Sequence, residues 1–243
     1  MIGVPLSFDE NKELDVDKDK SEVIISEYNN NCRKNERKLV ILNDLIYLKN
    51  LNIKPYHNTS DFYFLKPFED NFNIIQDEFN SVFKKKYWNV SPDSKRYPVF
   101  SEMNDNWTTL CFYYEGKWNT KMKNLCPVTY KLLKKVPYLF SWACFSRLKP
   151  YTDIPFHKGE TNINLTCHLG IKNLNNTSLV VNGIKKKWEN GKCLVFDDTF
   201  MHGVKNNNSK ERVVLAFDFI NPYLSRNEKN RLKKTYIKLS KIE

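Results

Sequence analysis

No stretch of this 243-residue chain holds about 18 consecutive apolar side chains, so nothing in it reads as a membrane-spanning helix. The first residues, MIGVPLSFDENKELDVDKDK, lack the basic-then-apolar layout of a secretory signal, and a soluble cytoplasmic protein is expected. The six cysteines (Cys32, Cys111, Cys126, Cys144, Cys167 and Cys193) are dispersed and form no C-x-x-C pair. That spacing argues against a zinc knuckle or a disulfide framework and for free thiols in apolar strands. Neither paired C-x-x-C sites nor an aromatic RNA-binding motif is present, so nucleic acid is not an expected partner. No internal repeat is found. Histidine is scarce, with four in the chain.

What is present is enough apolar material for a packed core, 41% hydrophobic with 14% aromatic. This fits one well-buried domain with terminal additions. The net charge of +11 favours anionic partners. Three segments are expected: an N-terminal extension over 1–58, a central domain over 59–222, and a basic helix over 223–243. Residues 1 to about 36 are charged and weakly periodic, and read as a loosely ordered lead. KLVILNDLIYLKNLNI (38–53) reads as a short apolar element that packs on the main body.

Phe72, Ile75, Phe79 and Val82 recur at helical spacing and predict a helix over about 69–84. A second helix is expected over 127–135, with Pro127 in its first turn and Leu132, Leu133 and Val136 toward the core. Strand-like runs are read at 107–114, 141–148, 162–171, 178–181, 192–196 and 212–219, separated by turn residues such as Asn182-Gly183. Many short strands at this spacing suggest a sandwich or barrel. Ser225-Arg-Asn-Glu228 reads as a capping box opening a helix that carries Leu232, Tyr236 and Leu239.

His157 and His202 each stand at the mouth of a strand-like run, and Arg212 lies ten residues past the second. Histidine is a common metal ligand, and a guanidinium can grip a carboxylate through two parallel hydrogen bonds. In NINLTCHLG, alternation sets Asn162, Asn164, Thr166 and His168 on one polar face, opposite Ile163, Leu165, Cys167 and Leu169. The same rule puts Arg147 on the face opposite Ser146. After His157 the usual carboxylate of a His-x-Asp/Glu iron site is replaced by Gly159; Glu160, one residue on, should point to the opposite face of a regular strand.

The blocks FSRLKPYTDIPFHKGETNINLTCHLGI and WENGKCLVFDDTFMHGV…ER, with CPVTYKLLKKVP and the W-x-x-L-x-F-Y-Y-x-G run from Trp107, resemble the aspartyl/asparaginyl β-hydroxylase family. That family also includes bacterial lipid A and ornithine-lipid hydroxylases. The resemblance covers about Phe62 to Pro222, and its most specific part is FDD[ST]F-x-H joined to S-x(10)-H-x-G. It implies a mainly β fold with flanking helices, a double-stranded β-helix (jelly roll, cupin-like). It also implies an Fe(II)- and 2-oxoglutarate-dependent dioxygenase that uses O2 to hydroxylate an unactivated C–H bond, with succinate and CO2 as coproducts. The substrate would be a peptide side chain or a small anionic molecule.

Carried over by position, His157 and His202 would bind iron, and Arg212 and Ser146 would hold the distal carboxylate of 2-oxoglutarate. His168 would contact the cosubstrate's other end, Trp107 would line its pocket, and Asp198 would hydrogen-bond an iron-bound water. The family shares the glycine at 159, which implies water in place of the carboxylate. Asn164 and Thr166 depart from the family, whose members carry basic residues there. Two other readings stay open: a 2-oxoglutarate-dependent halogenase with halide opposite Gly159, and a non-catalytic basic binding protein on the same scaffold.

Overall fold

The computed structural model describes residues 18–42, 45–51, 53–85, 87–91, 100 and 103–239. In chain order they form helix α1 (Lys18–Asn30), strands β1 (Leu39–Leu42), β2 (Leu45–Leu48) and β3 (Tyr56–His57), helices α2 (Lys66–Asp70) and α3 (Phe72–Phe83), and strands β4 (Asn89–Val90), β5 (Trp107–Tyr114) and β6 (Lys117–Trp118). Helices α4 (Thr120–Leu125) and α5 (Pro127–Lys134) come next. Then come β7 (Leu139–Leu148), β8 (Ile154–His157), β9 (Asn164–Lys172), β10 (Thr177–Val181), β11 (Ile184–Lys186), β12 (Cys193–Phe196), β13 (His202–Asn206) and β14 (Arg212–Ile220), and last α6 (Arg226–Leu239). Among the described residues no helix is long and apolar enough to cross a membrane.

Strands β7 to β14 are distributed between two sheets. The larger is ordered β3-β12-β9-β14-β7-β5-β4, with β6 paired to β5, and the smaller β11-β10-β13-β8. This is the strand order of a double-stranded β-helix: consecutive strands cross from sheet to sheet and hide their edges. β14 sits centrally between β7 and β9, and all nine of its residues are buried. Val213, Leu215, Phe217 and Phe219 face helices α2, α3 and α5 in the main core, with Ile75, Phe79 and Leu133. Arg212, Val214, Ala216 and Asp218 alternate onto the inner face, toward the smaller sheet.

The expected helix over 69–84 is two helices. Asn71 interrupts it at φ −100°, ψ 16°, and its side-chain amide donates to Pro67 O at 2.8 Å, competing with the helical ladder. Residues 18–30 were expected to lack regular structure but form α1. A narrow stripe, Ile25 and Tyr28, is buried, against Leu232 of α6. That helix depends on a partner 200 residues away, which local periodicity does not register. The segment 38–53 is the β1–β2 hairpin, and residues 1–17 of the expected lead lie outside the described residues.

The capping box forms as expected: Glu228 N donates to Ser225 Oγ at 3.2 Å and Ser225 N to Glu228 Oε2 at 2.7 Å. The side chains of Tyr236 and Leu239 lie outside the described residues. Asn182 and Gly183 take φ of 50° and 76° in the β10–β11 hairpin, the left-handed pair that this turn requires. All six cysteines are free.

His57 is buried on β3 between the rings of Phe62 and Tyr223, and neither ring nitrogen has a partner among the described residues. Burial, reinforced by Lys54, lowers its pKa from 6.5 to about 4. The folded state therefore holds the neutral ring, and this contribution is complete above pH 6.5 and lost as pH falls toward 4. Urea unfolding of His57→Leu should show a smaller loss of stability between pH 7 and pH 4.5, by about 2 kcal/mol relative to the unaltered chain. Parallel pH profiles for the two proteins would refute the assignment.

Candidate active site

β8 and β13 pair antiparallel in the smaller sheet, with His157 directly opposite His202, and a bulge after His202 breaks the register. The two ring centroids are 4.0 Å apart, inclined by 54°. His157 Nδ1 lies 2.8 Å from Pro155 O and His202 Nδ1 lies 3.0 Å from Phe200 O. A carbonyl only accepts, so each Nδ1 carries the proton and each Nε2 keeps its lone pair. Burial lowers both pKa values; His202, beside His157, is brought down to about 3. The pair is thus two neutral imidazoles with fixed tautomers. Among the described residues no group of three or more His, Cys, Asp and Glu is arranged to hold a metal ion, so the pair gains no third such ligand.

Gly159 has a steric reason. A Cβ there would sit 2.5 and 2.6 Å from the carboxylate oxygens of Asp198, closer than such atoms approach. The space of a residue-159 side chain is filled by Asp198, and Gly159 N donates to Asp198 O at 2.7 Å. Burial, then the charges of Asp218, Asp197 and Glu160, push the Asp198 carboxyl well above its usual range, and its Oδ1 is buried without a partner among the described residues. The neighbouring Asp197 braces the turn by accepting from Thr199 N at 3.0 Å and Thr199 Oγ1 at 2.5 Å. Glu160 lines the same cavity, contrary to strand alternation, because β8 ends at His157 and the next residues are irregular.

The facing wall belongs to the larger sheet. Arg212 is 1% exposed, its Cζ 5.0 Å from the Trp188 ring centroid, and its Nε and Nη1 are buried without partners among the described residues. Burial lowers its pKa only to about 10, so it is a cation at neutral pH. Trp107 Nε1 donates to Ser146 Oγ at 3.0 Å, which leaves the Ser146 hydroxyl proton free to point elsewhere. His168 lies between Phe196 and Trp188, its Nδ1 buried without a partner among the described residues; burial, then Arg212 and His202, keep it neutral. Trp107, Ser146, His157, His168, Asp198, His202 and Arg212 all line one cavity of about 210 Å³ between the sheets. Arg147, as alternation predicts, faces the other way, over Trp88 and bonded to Thr108.

The family model for aspartyl/asparaginyl β-hydroxylases matches residues 69–222. The chain belongs to this β-hydroxylase family. It is 33% identical to mouse (Mus musculus) aspartate beta-hydroxylase domain-containing protein 2 over 78% of its own length and 57% of that protein's. It is 27% identical to the ornithine lipid ester-linked acyl 2-hydroxylase of Rhizobium tropici, covering 74% of this chain and 67% of that one. The chain thus spans little more than half of the first of these relatives. A cupin-superfamily sugar phosphate isomerase from Silicibacter pomeroyi aligns at TM-score 0.36 and 14% identity over 59% of this chain and 80% of its own. The fold assignment rests on strand order instead.

Of the two positions expected to depart from the family's basic pattern, Asn164 and Thr166, the second has a partner in this family member. Thr166 Oγ1 donates to Asp218 Oδ1 at 2.8 Å, and Ser141 Oγ donates to Asp218 Oδ2 at 2.5 Å. Asp218, Trp188 and Phe100, which stands edge-on to His157 at 4.6 Å, were not anticipated. For Asp218 the signal existed: it is six residues beyond Arg212 on one strand, hence on the same face.

Proposed function

We propose that this β-hydroxylase is an Fe(II)- and 2-oxoglutarate-dependent dioxygenase that hydroxylates an unactivated C–H bond of a peptide side chain or small molecule. Arg212 carries the reading. A buried, unpaired guanidinium is destabilising by several kcal/mol unless an anion meets it; two Arg212 nitrogens are buried without partners among the described residues, and Arg212 lines the cavity that holds the histidine pair. A dicarboxylate spanning the cavity answers that need, and two neutral imidazoles suit Fe(II). The donor set therefore fits both groups.

His157 and His202 would hold Fe(II) through Nε2, while Arg212 and the Ser146 hydroxyl would grip the distal carboxylate of 2-oxoglutarate. Trp107 holds Ser146 in place, and His168 and Trp188 close the cosubstrate end. When bound, iron and 2-oxoglutarate supply the oxidising power that inserts an oxygen atom of O2 into the substrate C–H bond, leaving succinate and CO2. Asp198 would hold a water beside the histidines, and Phe100, Phe196 and Leu179 keep other water out. The net charge of +11 would steer anionic reactants inward.

Anaerobic addition of Fe(II) and 2-oxoglutarate should give a weak visible charge-transfer band that disappears when either is omitted, and O2 with an accepted substrate should then yield succinate. Folded protein that shows no band, and no succinate with peptide, amino-acid or lipid substrates, would exclude this function. Halogenation is the weaker reading because Asp198, rather than open space, occupies the side-chain position at Gly159. Product mass in the presence of chloride separates them: hydroxylation adds oxygen, whereas halogenation replaces hydrogen with chlorine.

A further inference from the structure

The β1–β2 hairpin lies outside residues 69–222, yet its free edge is bonded to the rim of the cavity. Ile46 N donates to Glu160 O at 3.0 Å, and Ile46 bridges Thr161 in parallel. Leu48 N donates to Asn162 Oδ1 at 2.8 Å, and Asn162 Nδ2 returns a bond to Leu48 O at 3.1 Å. The Asn162 side chain thus pairs with Leu48 as a neighbouring strand would, and it is buried at 3% exposure. These amides point away from β1, whose own bonds to β2 fall at the alternate positions. A further approach reaches a second loop: Tyr47 lies beside Thr199, next to Asp197 and Asp198. Glu160 to Asn162 come just after His157, and Thr199 precedes His202. Behind the edge, Leu39 and Leu48 are buried with Ile163 and Ile220, which anchors the hairpin to the larger sheet.

We propose that this hairpin is a positioning element of the active site, with Asn162 and Tyr47 as its positioning residues. It ties the 158–162 and 197–199 loops to each other, holding Gly159 against Asp198 and so fixing the separation of His157 and His202. The proposal rests on the metal-site reading above. Covering an exposed sheet edge would by itself need only the backbone pairing of Ile46. A buried asparagine spent entirely on Leu48, and a tyrosine directed to the other histidine loop, go beyond that requirement.

The test uses the full chain with Ile46→Pro, which removes an amide that the hairpin itself does not use, and with Tyr47→Phe and Asn162→Ala; Ile46→Val is the control. Amide hydrogen exchange on metal-free protein should quicken at least tenfold over 158–162 and 197–201 in Ile46→Pro and Asn162→Ala, with circular dichroism unchanged. Co(II) binding, followed by its visible absorption, should weaken by about tenfold, the range seen when groups supporting metal ligands are lost. Tyr47→Phe should perturb 197–201 alone, and Ile46→Val neither loop. If Asn162→Ala does not fold, Ile46→Pro and Tyr47→Phe still decide the matter. Folded Ile46→Pro with protected loops and unaltered Co(II) affinity overturns the proposal. Unaltered protein that takes up no Co(II) overturns the two-histidine reading instead, while exchange in the loops still reports on the hairpin.

Discussion

Gly159→Ala should leave the fold intact and reduce turnover by about 100-fold, the upper range for losing a group that orients a metal site. The new methyl cannot share space with the Asp198 carboxylate. The carboxylate is the movable end of a short side chain, so it gives way, and the water it would hold beside the histidines is lost. Asp198→Ala should cost a similar factor by deleting the same group. The two changes act on one atom set, so the double variant should be no worse than Asp198→Ala alone, a strongly non-additive cycle. Steady-state kcat for the four proteins, with circular dichroism as the check on folding, measures it. Losses that multiply would show that Gly159 and Asp198 act independently and that glycine is present for another reason.

That cycle also marks where the sequence stopped being readable. Gly159 stood out as the place without a carboxylate, but its cause is a side chain 39 residues later, and no spacing rule joins the two. Elements governed by a fixed local period were legible: the polar face of β9, the opposed faces of Ser146 and Arg147, the Asn182-Gly183 turn and the Ser225–Glu228 cap. The seven candidate residues were named through family motifs, and the fold brings them to one cavity. Features set by long-range partners were missed. α1 is helical because α6 covers Ile25 and Tyr28, and Asn162 looked like another pocket-face residue although it is committed to Leu48. Glu160 was misplaced because strand alternation does not extend past the end of β8.

Arg212→Met should separate function from stability most sharply. Methionine matches the aliphatic stem and packs against Trp188, but it removes a buried cation that has two unpaired donors. Replacing a buried, uncompensated charge by an apolar side chain is neutral or stabilising. The metal-free variant should therefore unfold at the same temperature as the unaltered chain or higher. Its kcat/KM for 2-oxoglutarate should fall by roughly 30- to 5000-fold, corresponding to the 2–5 kcal/mol lost on truncating one side of a buried charge pair. Arg212→Lys should recover only part of the loss, because an ammonium supplies the charge without the planar fork that meets a carboxylate. Thermal melts with and without 2-oxoglutarate and Co(II) check the same point without turnover. The cosubstrate should raise the melting temperature of the unaltered chain and leave that of Arg212→Met unmoved. A variant that melts early yet keeps its affinity for 2-oxoglutarate would make Arg212 a structural cation, and the dicarboxylate would then have to be held elsewhere in the cavity.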